Sequence, residues 1–254
     1  MEKITSRNNP KIKYACSLKK LSFSKSEGKV LAEGVRLCED AALNSIPIES
    51  CFVTEALAGS GECEYIMKKS KYTYIIESHV AQKLSDTKNP QGIFCVCALK
   101  KAKEKIDYSG EYIFLENLRD PGNLGTVIRT AEAFGMSGVI VSGCCSAYSQ
   151  KALRASMGAA FRFPVIEAES KIEFLSNAKN NGMSLYAAVP DASAEDVSAI
   201  SGKDACIVAV GNEGDGLSEE LISISEPVTI HMAGRAESLN AAQAATVLMY
   251  EITK

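Results

Sequence analysis

Residues 206–218 read CIVAVGNEGDGLS. Cys206 to Val210 form an unbroken apolar run of strand length, closed by a glycine, and read as a strand buried on both faces. Such strands belong to parallel sheets covered by helices, because a half-exposed strand would alternate apolar and polar residues. The loop behind the strand carries Gly211, Gly214 and Gly216, so its backbone is free to approach a ligand. It also carries Glu213 and Asp215 and no lysine. A Walker loop needs Lys followed by Ser or Thr, and a dinucleotide fingerprint needs glycines spaced for a pyrophosphate at a helix N-terminus. Neither pattern is met, and two carboxylates repel a polyphosphate. The loop suits a ligand with ribose hydroxyls and a positive centre but no phosphate, such as S-adenosylmethionine; read alone, it is equally an acidic surface turn.

The flanking sequence extends the same pattern. EYIFLEN at 111–117, GVIVSG at 138–143, SLYAAVP at 184–190 and EPVTIHM at 226–232 are further strands, with helical stretches between them. This is an α/β order that predicts a largely parallel sheet, with ligands bound beyond the carboxyl ends of its strands. Residues 29–99 form a second α/β region. In it, VLAEGVRLCEDAALNS at 30–45 has helical spacing through Val35, Cys38, Ala42 and Leu43, whereas ESCFVTE, KYTYIIES and PQGIFCVCAL read as strands. The expected organisation is a basic arm over 1–28, a small domain over 29–99, a charged linker over 100–110 and the parallel-sheet domain over 111–254.

The 254 residues, 46% apolar and 23% charged, suffice for two packed domains. The polar start MEKITSRNNPKIK lacks a signal-peptide core, and no apolar run is long enough to span a membrane. Nine scattered cysteines without a CxxC pair point to a reduced, cytoplasmic setting. With only His79 and His231 available, and neither near a cysteine pair, no zinc site is expected. The net charge is −3, yet residues 1–36 hold nine basic side chains against three acidic ones, an excess of six. That stretch reads equally as a phosphate-contacting arm or as a solvated charged helix.

Two other loops follow strands. After the strand at 111–117 comes RDPGNLGTVIRTAEAFG, in which Asp120-Pro121-Gly122 is turn chemistry and Asn123 is the expected N-cap of a helix that Gly135 ends. Val127, Ala131 and Phe134 give that helix a buried face and leave Arg129 elsewhere. After strand 228–232, Ser238 is expected to open a helix packed through Leu239, Ala242, Ala245 and Leu248. Taken singly, Asn123 and Ser238 are ordinary caps, Arg129 an ordinary partner for Glu132, and Asn240 ordinary polar filler.

Together and in this order, NLRDPGNLGTVIRTAEAFG, GNEGDGLS and IHMAGRAESLNAAQAA resemble the three motifs of the SpoU branch of the SPOUT RNA 2′-O-ribose methyltransferases. KALRASMGAAFRFPV at 151–165 is similar to that family's Ser-x-Gly-Ala segment. The resemblance covers residues 111–254. It extends more weakly through ITSRNNPKIK, EGVRLCEDA and LSDTKNPQGIFCV to the RNA-binding domain that precedes the methyltransferase in rRNA-directed members.

The resemblance implies a C-terminal trefoil knot, S-adenosylmethionine as cofactor, a homodimer formed through the knotted domain, and no metal. On matching positions, Gly211, Ile230 and Leu239 are implied cofactor contacts, with Leu217, Met232 and Ser238 beside them. Arg129 matches the arginine assigned to activation of the ribose hydroxyl, and Asn123, Glu213, Ser238 and Asn240 match the remaining polar site residues. Arg7, Lys11, Lys13, Arg36, Arg119 and Arg154 are the expected RNA contacts, with rRNA favoured over tRNA. His231 stands where relatives commonly carry proline, and Ala241 where they carry valine. A catalytically silent RNA-binding protein of the same fold would be expected to have lost Arg129, Asn123 or Asn240; all three are present.

Overall fold

The apolar runs become two separate sheets in the computed structural model, which describes residues 1–99 and 106–254. Two units carry them: Met1–Lys101 with Tyr148–Arg162, and Ala102–Ala147 with Phe163–Lys254. The residues 100–105 of the expected linker lie outside the described residues.

The first unit holds β1 (Glu2–Ile4), β2 (Lys29–Glu33), β3 (Ile48–Thr54), β4 (Ser70–Ile76) and β5 (Ile93–Ala98), in the order β1-β4-β3-β5-β2. Residues 1–28 are not a detached arm. β1 pairs in parallel with β4, and the helix Pro10–Ser17 buries Ile12 and Ala15 against Phe52, Ile76 and Phe94 of the sheet. The stretch 30–45 is also not one helix. Val30, Leu31 and Ala32 are all buried as β2 beside β5, and the helix begins only at Val35. Gly34 makes the break at φ 98°, a backbone conformation that side-chain-bearing residues rarely adopt.

Residues 148–162, which the sequence assigns to the 111–254 domain, cluster by their contacts with this first unit. The Gln150 amide donates to the Leu31 carbonyl, Arg154 lies 3.7 Å from the Glu33 carboxylate, and Arg162 donates to both Asp40 oxygens at 2.6 Å. Glu33 is itself buried and accepts from Ser85, Thr87 and the Asp86 amide.

The second unit holds β6 (Glu111–Glu116), β7 (Gly138–Ser142), β8 (Val165–Glu167), β9 (Ser184–Ala188), β10 (Glu195–Asp196), β11 (Cys206–Val210) and β12 (Glu226–Thr229), in the order β10-β12-β9-β11-β6-β7-β8. Every pairing is parallel. This is the α/β parallel sheet that the apolar runs predict. Alternate residues divide its two faces. Tyr112, Phe114, Ile207 and Ala209 pack with Leu175 and Leu221 from the helices Lys171–Asn180 and Glu219–Ile224. The intervening Ile113, Leu115 and Val208 are as deeply buried. Fully burying each such side chain contributes about 2 kcal/mol. The helices Pro121–Ala133 and Ala241–Ile252 pack on each other, and the second of them also packs on β6 and β11.

Candidate active site

β6 and β11 are neighbours, with Leu115 opposite Val210 at their carboxyl ends. From β6 the chain runs outward through β7 and β8 on one side, while the later strands lie on the other. The strand order therefore reverses between β6 and β11, the position at which open parallel sheets form ligand crevices. The loops after both strands begin there.

The loop after β6 is held by Asp120, whose side chain accepts from the Gly122 amide at 2.7 Å and caps the helix with Pro121 in its first turn. Asn123 is thus not the cap. Proline suits that first turn because it has no N–H to leave unsatisfied, which moves the cap three residues earlier than expected. Freed of capping, the Asn123 amide donates to Glu213 Oε1 at 2.5 Å.

The loop after β11 closes on itself. The Gly216 amide donates to the Asn212 carbonyl at 3.1 Å, and Asn212 Oδ1 accepts from the amides of Gly214 and Asp215 at 2.8 Å each. A Cβ at Gly211 would lie 2.1 Å from the Gly216 carbonyl carbon and 2.4 Å from the Leu217 nitrogen. Gly211 is therefore required by the return of the loop's own backbone. Leu217, buried in the core beside Leu221, fixes the far side of the loop.

The loop after β12 is irregular. β12 ends at Thr229 rather than 232, and the following helix starts at Ala241 with Asn240, not Ser238, as its N-cap. Asn240 Oδ1 accepts from the Ala242 amide at 3.0 Å while its Nδ2 donates to Glu213 Oε1 at 3.3 Å. One carboxylate oxygen thus collects amides from the loops that follow β6 and β12. The helix behind Asn240 buries Ala241, Ala242 and Ala245, small residues that permit a close approach, and Phe134 meets Tyr250 at a centroid distance of 6.1 Å.

Not every candidate joins this cluster. Arg129 is exposed and has no hydrogen bond or ion pair among the described residues, with Glu132 or with any other. Six residues beyond Asn123 in the same helix, it lies roughly 240° around the axis. Ser238 is exposed in the irregular loop, whereas Ile230, Met232 and Leu239 are half-buried apolar residues of that same loop. Among the basic candidates of the first unit, Arg7 donates to the His79 carbonyl at 2.9 Å and Lys11 pairs with Glu2 at 2.7 Å, above the ring of Tyr74. Lys13 and Arg36 are exposed, as is Arg119 in the second unit. Among the described residues no group of three or more His, Cys, Asp or Glu side chains is arranged to hold a metal ion.

The sequence reading missed a buried pair beneath the second loop. Glu116, the last residue of β6, is 1% exposed and bonded to Lys171 Nζ. Its Oε2 accepts from the Ser218 amide at 2.8 Å, and Lys171 Nζ donates to Ser218 Oγ at 3.0 Å. Burial pushes the Glu116 carboxyl up, but the Lys171 ammonium and the Ser218 hydrogen bonds outweigh it and hold the group below the usual carboxylate value. A charge that closes an apolar strand was the available signal for Glu116. Nothing local marks Lys171.

Known proteins show the same architecture. The family described as "SpoU rRNA Methylase family" matches residues 111–250, and the "MRM3-like substrate binding domain" matches residues 9–95. The chain is 31% identical over 253 residues to an uncharacterized tRNA/rRNA methyltransferase of Synechocystis, covering 98% of this chain and 92% of that one. It is 29% identical to the 23S rRNA (guanosine(2553)-2′-O)-methyltransferase RlmP of Bacillus subtilis, covering 99% of each. The crystal structure of the AdoMet-bound rRNA methyltransferase from Sinorhizobium meliloti superposes with a TM-score of 0.85 at 27% identity, covering 99% of this chain and 97% of that one. With three loops meeting at the strand-order reversal, and a family match over more than half of its length, the chain belongs to the SpoU rRNA methylase family of RNA methyltransferases.

Proposed function

We propose that the protein transfers a methyl group from S-adenosylmethionine to a ribose 2′-hydroxyl of RNA, with rRNA as the favoured substrate. The observation that carries this reading is the pairing of Asn123 and Asn240 with the single carboxylate of Glu213. The 2′-O-methyltransferase activity named for the Bacillus relative, and the bound cofactor named for the Sinorhizobium protein, support the same chemistry here.

The residues fit such a cofactor. The 211–217 loop has no basic side chain and folds back through Gly211, so it offers backbone groups rather than phosphate ligands. Leu217 borders it, and Ile230, Met232 and Leu239 add half-buried apolar surface suited to an adenosine. S-adenosylmethionine supplies an electrophilic methyl group on a sulfonium. Gly211, Ile230 and Leu239 are the residues assigned to hold it, with Leu217, Met232 and Ser238 as neighbours.

A ribose hydroxyl is a weak nucleophile, so positioning and charge stabilisation are the main tasks of the protein. A guanidinium has five N–H donors and no acceptor, so Arg129 is suited to stabilising a forming alkoxide rather than to taking up its proton. With no hydrogen-bond or ion-pair partner among the described residues, its guanidinium is available to RNA. Glu213 fixes the amides of Asn123 and Asn240, and with Ser238 these groups are assigned to orient the ribose. Lys13, Arg36 and Arg119, exposed, and Arg7, Lys11 and Arg154, already partnered, are assigned to phosphate contacts.

A homodimer through the methyltransferase domain and a trefoil knot belong to the same reading. The knot is supported by the path of the chain from β12 through the irregular loop to a helix that packs back on β6 and β11. The dimer is supported by Tyr250, which leaves 52% of its surface exposed beside Phe134. A cytoplasmic setting is supported by nine free cysteines; no described helix is long and apolar enough to cross a membrane.

The test is label transfer from methyl-labelled S-adenosylmethionine to unmodified rRNA and tRNA pools. Label in rRNA is the expected result. Label in tRNA alone would reassign the substrate, and label in neither would overturn the reading.

A further inference from the structure

The self-closed loop 211–217 needs a fixed foundation at each end. At its start it leaves β11, where Gly211 lies against Gly216 and Leu217. At its end stands Ser218, N-cap residue of the helix Glu219–Ile224, whose own side chain makes no capping bond. Ser218 is instead gripped from below: its amide donates to Glu116 Oε2, and its hydroxyl accepts from Lys171. Glu116 closes β6 and Lys171 opens the helix Lys171–Asn180, so the grip joins three elements distant in sequence. Both carboxylate oxygens of Glu116 are used, one by Lys171 and one by Ser218. A surface ion pair would not be held in one geometry in this way.

We infer that Glu116 and Lys171 are a positioning pair for the reaction, fixing Ser218 and through it the loop that receives S-adenosylmethionine. The inference rests on the proposed function, because it takes the 211–217 loop as the cofactor site. Neither side chain is assigned to touch the cofactor or the RNA. Their effect passes through the Ser218 amide to Leu217 and Gly216, the residues against which Gly211 closes. Losing the pair lets the loop sample open arrangements, and apparent affinity falls by the fraction of time the loop is misplaced.

The test compares Lys171→Met, Lys171→Arg and the double variant Glu116→Gln/Lys171→Met with the wild-type chain. The double variant leaves no uncompensated buried charge, which guards against simple unfolding of Lys171→Met. Readouts are the melting curve, the KM for S-adenosylmethionine and kcat at saturating cofactor. The expected result is a KM raised about 10-fold in every folded variant lacking the ammonium, with kcat changed less than threefold and KM recovered in Lys171→Arg. A merely structural pair would lower the melting temperature and leave the KM of the surviving folded enzyme unchanged. A KM within twofold of wild type in the folded double variant would overturn the inference. Wild-type protein that neither binds nor uses S-adenosylmethionine would overturn the proposed function itself, a failure visible before any variant is compared.

Discussion

Glu213 accepts the side-chain amide of Asn123 at 2.5 Å across 90 residues of sequence, and the same oxygen accepts Asn240 from 27 residues further on. The glutamate that makes the glycine loop look wrong for a phosphate is thus the acceptor that holds two other loops in place. Replacing its charge while keeping its shape separates this role from cofactor binding. Glu213→Gln is expected to slow single-turnover transfer by about 10- to 100-fold, since hydrogen bonds to a charged acceptor are worth about 1.5–3 kcal/mol. Cofactor affinity measured by calorimetry is expected to stay within about threefold. Equal losses in both would place Glu213 in the cofactor site instead.

Arg129 and Gly211 are expected to fail in opposite ways. Arg129→Ala removes charge stabilisation and should lower transfer by about 100- to 1,000-fold with cofactor binding intact. Gly211→Val places side-chain carbon where the Gly216 backbone stands and should abolish cofactor binding itself. Calorimetry with S-adenosylmethionine on both variants decides the point; the division of roles is wrong if both lose binding alike.

The acid limb of stability should carry a contribution from Glu116. Its carboxyl is held below the ordinary value in the folded chain, so its contribution is present above the unfolded pKa near 4.5 and is lost as pH falls through the folded value. At neutral pH, Glu116→Gln is expected to cost about 3 kcal/mol, the scale of breaking a buried pair. Denaturant melts between pH 7 and pH 3 should show the gap between variant and wild type closing below about pH 4. A gap independent of pH would show that charge is not the source of the effect.

Arg162 and Asp40 tie the 148–162 segment to the first unit through two 2.6 Å hydrogen bonds. Arg162→Ala is expected to destabilise that unit by about 2 kcal/mol. The unfolding transition of that unit in calorimetry should fall by roughly 8 °C. An unchanged transition would mean that the pair contributes nothing beyond a solvated surface contact.

Much of this architecture is legible in the sequence, for reasons specific to each element. Cys206–Val210 and Glu111–Glu116 read correctly because a strand buried on both faces is an unbroken apolar run. Asn123, Glu213 and Asn240 could be named only through the resemblance of the three motifs that carry them, because each taken singly reads as an ordinary cap, turn or polar filler. Local chemistry misled where two residues competed for one role. Asp120 and Asn240 took the capping positions assigned to Asn123 and Ser238, and in each case a proline or the next turn decided which side chain reached the free amide. β1 was missed because three residues give too short a pattern, and β2 because the helical spacing after Gly34 was extended back over it. The placement of residues 148–162 with the first unit depends on Arg154, Arg162 and Gln150 finding partners more than a hundred residues away, which no local pattern encodes.

The central claim is that the loops joined at Glu213 direct methyl transfer to a ribose oxygen. The most direct measurement is the chemical identity of the labelled nucleoside released from unmodified rRNA after reaction with methyl-labelled S-adenosylmethionine. The account predicts that the label resides in a 2′-O-methylnucleoside and disappears in Arg129→Ala. A label on a base, or a ribose label that persists undiminished in Arg129→Ala, would contradict it.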